Sequence, residues 1–230
     1  MISLMLVLAA QAQAQDVPSW GGLRDTAGTL PAGEWAVRLP TGRSAVGLTD
    51  RTEAWVQPVG MAFAGSRLGL EQLVVDQGAW AWSLAPAAGS AWTGREAAAE
   101  LRSYLSYSAG DHRLNLTVAG RGRLVRQAQL SDTRSHAWSA DRLLVPVALA
   151  HDLSRGQSIW RTRLMVAAID EGVPLSYGTL SASWIHAFGR LHVELGAGVL
   201  VGKPSEHVFL GTYEHTLAVM YPTADLWWSF

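Results

Sequence analysis

The chain contains no cysteine among its 230 residues. This absence excludes disulfide bonds, thiolate metal sites and cysteine nucleophiles. Lysine is nearly absent as well, because Lys203 is the single example, and charged residues make up only 16% of the sequence. With a formal net charge of −1, the chain has neither the basic field of a nucleic-acid-binding protein nor a strongly acidic tail. We therefore expect no nucleic-acid partner.

A long hydrophobic run is also missing. No stretch reaches the roughly 20 apolar residues that a membrane-spanning helix needs, although 49% of the residues are hydrophobic. Apolar character that is spread thinly along a chain is typical of many alternating strands. Tryptophan is abundant, with 11 residues against 5 tyrosines and 4 phenylalanines. Since tryptophan favours membrane–water interfaces, this excess points in the same direction.

The N-terminus has the features of a signal peptide. Residues 1–10 form a short apolar core, and Ala12-Gln13-Ala14 supplies the small-x-small pattern of a cleavage site. The pattern departs from type in one respect, because no lysine or arginine precedes the core. We expect residues 1–14 to be removed on export and residues 15–29 to form a flexible periplasmic lead-in. Residues 30–230 show no linker and form one predicted domain.

Strict period-two alternation dominates that domain and is clearest in residues 113–124. Arg113 and Asn115 fall on one face of this run, whereas Leu114 and Leu116 fall on the other. Four further runs sort in the same way: residues 79–86, 100–107, 157–168 and 190–201. Period two predicts strands and excludes an apolar helical stripe. Each run is close to the 9–11 residues that a tilted strand needs to cross a bilayer.

The connections between these runs alternate in length. Five are tight and rich in glycine and aspartate, namely Thr49-Asp50-Arg51, Asp76-Gln77-Gly78, Gly110-Asp111-His112, residues 152–156 and Phe188-Gly189-Arg190. Longer connections lie between them, at residues 87–97, 126–140, 170–174 and 203–216. Short turns at one end and longer loops at the other are typical of an outer-membrane barrel. The pattern predicts an all-β, closed antiparallel up-and-down transmembrane β-barrel of about 12 strands, with 10 as the alternative.

The last ten residues alternate too, with Leu226, Trp228 and Phe230 on the apolar face. This segment resembles the closing strand of Gram-negative outer-membrane β-barrel proteins, in which the terminal phenylalanine belongs to the signal read by the barrel-assembly machinery. The stretch Gly47-Leu-Thr-Asp-Arg51 resembles a periplasmic turn of that family, and residues 29–35 look like the start of the barrel in some uncharacterised, channel-type members. The resemblance implies an outer-membrane location, with lipid and the assembly machinery as partners. It assigns Trp228 and Phe230 to the assembly signal.

In such a barrel the polar strand faces point to the lumen. Nine residues are candidates for a pore lining: Glu100, Arg102, Arg113, Arg121, Arg123, Arg161, Arg163, Arg190 and Glu194. The same faces carry six more polar residues, Arg38, Arg67, Glu71, Arg142, His192 and Asp225. Because arginine exceeds carboxylate there, we expect a narrow, mildly anion-favouring passive channel for small solutes.

Two alternatives remain open at this point. One is a structural or interaction barrel whose lumen is plugged, because arginine–carboxylate pairs neutralise one another and stiffen the wall. The other is a soluble periplasmic β-barrel that binds an apolar ligand. That protein would turn its leucine, valine and tryptophan faces inward and its arginines outward.

Signals for catalysis and metal binding are weak. His136 and Ser139 are the nearest approach to a hydrolase pair, but no acid is placed beside them by the sequence. His207 and His215 flank a loop with neighbouring glutamates, which is compatible with a metal site and more simply with a solvated polar loop. We expect a protein that is not an enzyme and that has no cofactor and no metal. The oligomeric state is left open.

Overall fold

The computed structural model describes residues 26–39, 43–57, 66–90, 96–127, 137–169, 173–202 and 217–230. The predicted signal peptide and most of the lead-in lie outside these ranges. His136, His207, His215 and the side chain of Ser139 lie outside them as well, so the weak catalytic and metal candidates stay untested. Among the described residues, no helix is long and apolar enough to cross a bilayer.

Twelve strands of the described ranges form one closed antiparallel barrel. They are β1 Trp35–Leu39, β2 Ser44–Thr49, β3 Thr52–Val56, β4 Ser66–Gln77, β5 Trp80–Ser90, β6 Glu96–Ala109, β7 His112–Gln127, β8 Ala137–Arg155, β9 Ser158–Ile169, β10 Val173–Phe188, β11 Leu191–Gly202 and β12 Leu217–Ser229. Each strand pairs with its neighbours in sequence, and β1 pairs with β12 to close the wall. The predicted closed up-and-down barrel is confirmed, with twelve strands described and not ten.

Five tight turns lie at one end of the barrel, at residues 50–51, 78–79, 110–111, 156–157 and 189–190. Four of them contain a glycine with φ between 57° and 63°: Gly78, Gly110, Gly156 and Gly189. Glycine adopts positive φ without the steric cost that other residues meet, so it favours two-residue hairpins here. Phe230 lies at the same end, where its N–H donates to Trp35 O at 2.8 Å. We call this end the turn end and the opposite one the loop end.

The two faces of the wall differ in chemistry as the alternation predicts. In β7, Leu114 and Leu116 point outward and are 46% and 38% exposed, whereas Arg113 and Asn115 point inward and are at most 3% exposed. Exposed outward-facing apolar side chains recur around the wall, among them Leu101, Leu149, Leu164, Leu180 and Leu195. The soluble-barrel alternative requires the opposite sorting, so it is wrong.

The seam between β12 and β1 is shorter than the seam between β12 and β11. β1 pairs with β12 only from Leu226 to Ser229, whereas β11 pairs with β12 from Leu217 to Trp228. Pro222 lies in the part of β12 beyond this short seam. Because proline has no N–H to donate, it is tolerated at a position where no described strand pairs on the β1 side.

Candidate functional site

The inner face of the described wall carries more positive than negative charge. Eight arginines lie there: Arg38, Arg43, Arg67, Arg102, Arg113, Arg121, Arg161 and Arg163. Seven carboxylates lie on the same face: Glu53, Glu71, Asp76, Glu100, Asp152, Glu194 and Asp225. Eight against seven leaves an excess of one positive charge among these side chains. Strand alternation puts these side chains on one side of the sheet, except for Arg43, which precedes β2.

Seven of the nine predicted lining residues lie on this inner face: Glu100, Arg102, Arg113, Arg121, Arg161, Arg163 and Glu194. Arg190 lies in the turn 189–190 at the turn end and is exposed, because β11 begins only at Leu191. That Arg190 faces the lumen stays a prediction. Arg123 belongs to β7, but its side chain lies outside the described part of the chain. That these residues line a pore stays a prediction.

Near the turn end, Arg161 and Asp152 form a bidentate ion pair. Arg161 Nε donates to Asp152 Oδ1 at 2.7 Å and Arg161 Nη2 donates to Oδ2 at 2.9 Å. Asn115 Nδ2 also donates to Asp152 Oδ2 at 2.9 Å, and Ser106 Oγ donates to Asn115 Oδ1 at 2.7 Å. Such a fork fixes the guanidinium plane. The network therefore braces strands β6 to β9 against one another from the inside.

A second brace lies on the other side of the lumen, around Arg38. Arg38 Nε donates to Asp225 Oδ2 at 2.6 Å, and Arg38 Nη2 donates to Glu194 Oε2 at 3.1 Å. The guanidinium also lies over the Trp227 ring, with 4.2 Å between Cζ and the ring centroid. On the same indole, His192 stacks with the two ring planes 5° apart. Side-chain contacts of Arg38 thus connect β1 to β11 and β12, in addition to the backbone pairing of β1 with β12.

A third brace involves Arg43, which precedes β2. Both of its terminal nitrogens donate to Glu71 Oε2 at 3.3 Å, and Ser83 Oγ donates to Glu71 Oε1 at 2.7 Å. Arg43 also lies over the Trp55 ring, at 5.0 Å from the centroid. The indole N–H of Trp55 is buried and makes no hydrogen bond within the described structure.

Glu100 is surrounded by arginines. Arg102 Nε donates to Glu100 Oε1, and Arg67 Nη1 lies 3.8 Å from Glu100 Oε2. Arg121 lies directly opposite Glu100 in the pairing of β6 with β7. Three guanidinium groups around one carboxylate leave a local positive excess, which attracts anions.

A cavity of about 500 Å³ lies in the lumen. Five arginines line it, Arg43, Arg67, Arg102, Arg161 and Arg163, together with the two carboxylates Glu194 and Asp225. Hydroxyl groups of Ser181, Ser183 and Thr223 and the rings of Trp55 and Tyr221 contribute to the rest. Five positive charges against two negative ones make the lining basic.

The segment Thr26–Leu30, which precedes β1, lies against the inner wall near the turn end, and we call it the plug segment. Ala27 N–H donates to Ser106 Oγ at 2.9 Å, and Arg113 Nη2 donates to Ala27 O at 2.5 Å. Ala27 also packs against a small apolar cluster of the wall, formed by Ala85 and Tyr104. Backbone groups of the plug segment therefore use side chains of β6 and β7 as their hydrogen-bond partners.

The C-terminal end of the plug segment is anchored beside β2 and β3. Leu30 is fully buried, and its N–H donates to Glu53 Oε2 at 3.1 Å. The following turn is tied to β2 by two backbone hydrogen bonds, from Gly33 N–H to Gly47 O and from Gly47 N–H to Glu34 O. A Cβ atom at Gly47 would overlap the backbone of Leu30 and Pro31, so glycine permits this close approach.

The plug segment overlaps the predicted lead-in, residues 15–29. Residues 26–29 were expected outside the barrel, yet Thr26 and Ala27 are buried inside it. The sequence shows no period in this segment because it forms neither helix nor strand. Backbone groups of Ala27 and Leu30 find partners on the inner wall. The rest of the lead-in lies outside the described residues, so the domain boundaries stay predictions.

Sequence reasoning missed four inner residues. Arg43, Trp55 and Asp152 take part in the braces, and Glu53 accepts the hydrogen bond from Leu30. Asp152 was expected in a turn, but β8 continues to Arg155. Arg43, Glu53 and Trp55 belong to short strands or their flanks, where too few residues alternate to define a face. An inward charge beside a short strand gives no sequence signal of its own.

No protein-family model matches the chain, and no curated protein matches it in sequence. Among solved structures, the chain resembles an anion-selective porin from Comamonas acidovorans, with 13% sequence identity and a TM-score of 0.48. The alignment covers 82% of this chain and 58% of the porin, so the chain spans less than two thirds of the porin's length.

Proposed function

We propose that the protein is an outer-membrane β-barrel that acts as a narrow passive channel for small anionic solutes. The observation that carries this proposal is the basic cavity inside a barrel whose outer face is apolar. An apolar exterior and a charged interior suit a wall that separates hydrocarbon from water.

The outer surface supports a membrane location. Exposed aromatic side chains lie within three residues of a turn or of the chain end: Trp35, Trp80, Tyr107, Trp160, Phe188 and Phe230. Outer-membrane barrels carry girdles of aromatic residues where the apolar band meets the headgroups. An aromatic girdle at the turn end, followed by leucine and valine toward the loop end, fits the membrane–water interface on the periplasmic side.

Reconstitution tests the channel. The protein is refolded in detergent, inserted into planar bilayers and measured under a tenfold KCl gradient. We expect small conductance steps whose reversal potential has the sign of chloride preference. A cation preference, or an absence of conductance in folded protein that has inserted, contradicts the proposal.

A structural or interaction barrel with a closed lumen is the second candidate. The plug segment and the three internal braces favour it, because they occupy part of the lumen and pair many of its charges. It predicts folded, inserted protein that never conducts. The same bilayer experiment therefore distinguishes the two candidates.

Export and assembly complete the proposal. Residues 1–14 would direct the chain across the inner membrane, and Trp228 with Phe230 would be read by the barrel-assembly machinery. We expect outer-membrane lipid to surround the apolar outer face of the barrel. The proposed role is transport without catalysis, cofactor or metal.

A further inference from the structure

We infer that His112 and His151 form a binding site for a divalent transition metal on the outer face of the barrel at the turn end, with Cu²⁺ as the preferred ion. The site is separate from the lumen, so the proposed transport does not depend on it and its test needs no conductance. It departs from the expectation of no metal, which rested on the sequence alone. The two histidines are 39 positions apart, and no local pattern connects them.

The pairing of β7 with β8 brings the two histidines together. His112 lies opposite Leu153, two residues beyond His151, so the histidines are diagonal neighbours on the two strands. Both point outward, because Arg113 and Asp152, which follow them in sequence, are buried on the inner face. Diagonal neighbours on one face of a sheet are within reach of ring side chains. The backbone ladder therefore positions both rings.

The spacing of the two rings suits adjacent metal ligands. His112 Nδ1 lies 3.0 Å from His151 Nε2, at which distance the rings share one proton. With metal–imidazole bonds of about 2.0–2.1 Å, two ligand nitrogens are roughly 2.9 Å apart at a right angle and roughly 3.4 Å apart in a tetrahedron. A metal ion can therefore replace the shared proton once the two rings turn so that their lone pairs converge. The strands need not move.

The spacing and the ligand type also indicate which metal is preferred. Imidazole binds copper, nickel and zinc, and Cu²⁺ ranks first among the divalent ions of this row. Nitrogens 3.0 Å apart are close to the right-angle arrangement of Cu²⁺ and Ni²⁺, whereas Zn²⁺ prefers a tetrahedron. Within the described ranges, no group of three or more histidines, cysteines or carboxylates could hold a metal. Water would therefore complete the coordination of an ion held by two imidazoles.

The site is accessible to water at the turn end. His112 is exposed and directly follows the turn 110–111. Beside it, the side chains of Asp111 and Arg155 form an ion pair and are 61% and 67% exposed. Because only the folded barrel brings the two imidazoles together, an ion bound to both connects β7 to β8 and stabilises the folded state by mass action.

A copper titration tests the site. The full chain without an affinity tag is refolded in detergent, titrated with CuCl₂ and measured by electron paramagnetic resonance beside the variant His112→Gln/His151→Gln. We expect the wild type to bind one more Cu²⁺ than the variant, with hyperfine coupling to two imidazole nitrogens. Each single substitution should weaken this binding roughly tenfold or more, and Zn²⁺ should bind roughly tenfold more weakly than Cu²⁺. Equal copper binding by the wild type and the double variant overturns the site, and equal affinity for Zn²⁺ overturns the assignment to copper.

The matched control is His186→Gln. His186 also points outward at the turn end, but its Nδ1 lies 2.7 Å from the hydroxyl oxygen of Ser158 and not beside a second imidazole. This variant should bind Cu²⁺ like the wild type. A loss equal to that of the double variant overturns the assignment of the site to His112 and His151.

A second measurement needs no variant and so does not depend on the folding of one. Diethyl pyrocarbonate modifies imidazole nitrogens, and mass spectrometry identifies the modified residues in the folded wild type. Saturating Cu²⁺ should slow the modification of His112 and His151 roughly tenfold, since a bound metal occupies the reacting nitrogens. The rate at His186 should be unchanged. Unprotected His112 and His151, or equal protection of all three histidines, overturns the site.

Discussion

Arg161 on β9 and Asp152 on β8 lie side by side on the inner face of the wall and are joined by two nitrogen–oxygen contacts, at 2.7 Å and 2.9 Å. Asp152 is fully buried and Arg161 is 5% exposed. The pair is a register partnership as well, since the two residues lie directly opposite each other in the pairing of β8 with β9. An ion pair of this kind fixes both strands but leaves a costly charge behind when one partner is removed.

Asp152→Asn should therefore destabilise the barrel strongly. The substitution leaves the Arg161 guanidinium buried without its carboxylate, and breaking a buried pair costs about 3–5 kcal/mol. Urea unfolding in lipid vesicles measures the loss. The control is Asp111→Asn, which breaks the exposed pair with Arg155, at 3.6 Å, and should change the stability little. Equal stability of Asp152→Asn and the wild type would show that the pair does not brace the wall.

Gly47→Ala should hinder folding of the barrel. The added Cβ would overlap the backbone of Pro31 and Leu30, which cannot yield as a flexible side chain would. Forcing one methyl group into a packed site costs about 1–3 kcal/mol. The folded fraction is read from heat-modifiable mobility on gels. Gly120→Ala is the matched control, because a Cβ at Gly120 meets nothing within 4 Å. A folded fraction of Gly47→Ala equal to that of Gly120→Ala would contradict the close approach of the plug segment to β2.

Leu116→Arg should lower stability through the lipid contact. Leu116 points outward in β7, five residues beyond the turn 110–111. An arginine at the centre of a bilayer costs about 2–4 kcal/mol. The cost falls near the interfaces, so Leu114→Arg, two residues closer to the turn, should cost less. Unfolding in vesicles measures both variants. If both variants matched the wild type, the outer face would not be in contact with hydrocarbon.

Arg163→Gln should weaken anion preference. Arg163 lines the basic cavity, and loss of one of its five positive charges should reduce the anion-to-cation permeability ratio by roughly twofold. Arg190→Gln is the control, since Arg190 lies exposed in a turn at the turn end. Reversal potentials under a salt gradient report the ratio. An effect at Arg190 equal to that at Arg163 would place the selective region outside the cavity.

Phe230→Ala should slow assembly more than it affects stability. The Phe230 side chain is 60% exposed, while its backbone N–H and C=O bond to Trp35 and would survive the substitution. Spontaneous refolding in detergent should therefore be unchanged, whereas folding assisted by the purified assembly machinery should slow several-fold. If both rates fell equally, Phe230 would act through folding alone and not as a signal.

The sequence determined the architecture of this protein, because side-chain alternation is a local property of each strand. The run from Arg113 to Leu116 assigns its own faces without reference to any neighbour, and the tight turns at Gly110 and Gly189 need only glycine's access to positive φ. These signals sufficed for the closed barrel and for the inward direction of most arginines.

Only the tertiary structure decided how those inner residues are combined. The partnership of Arg38 with Asp225 joins residues 187 positions apart, which no local pattern encodes. The first residue of β11 is Leu191, one position later than the alternation alone indicates. The sequence of the plug segment shows no alternation. Its hydrogen bonds are made with Ser106, Arg113 and Glu53, which belong to strands distant in sequence. Local backbone geometry determines the direction of a side chain, whereas closure of the sheet determines which other side chains it contacts.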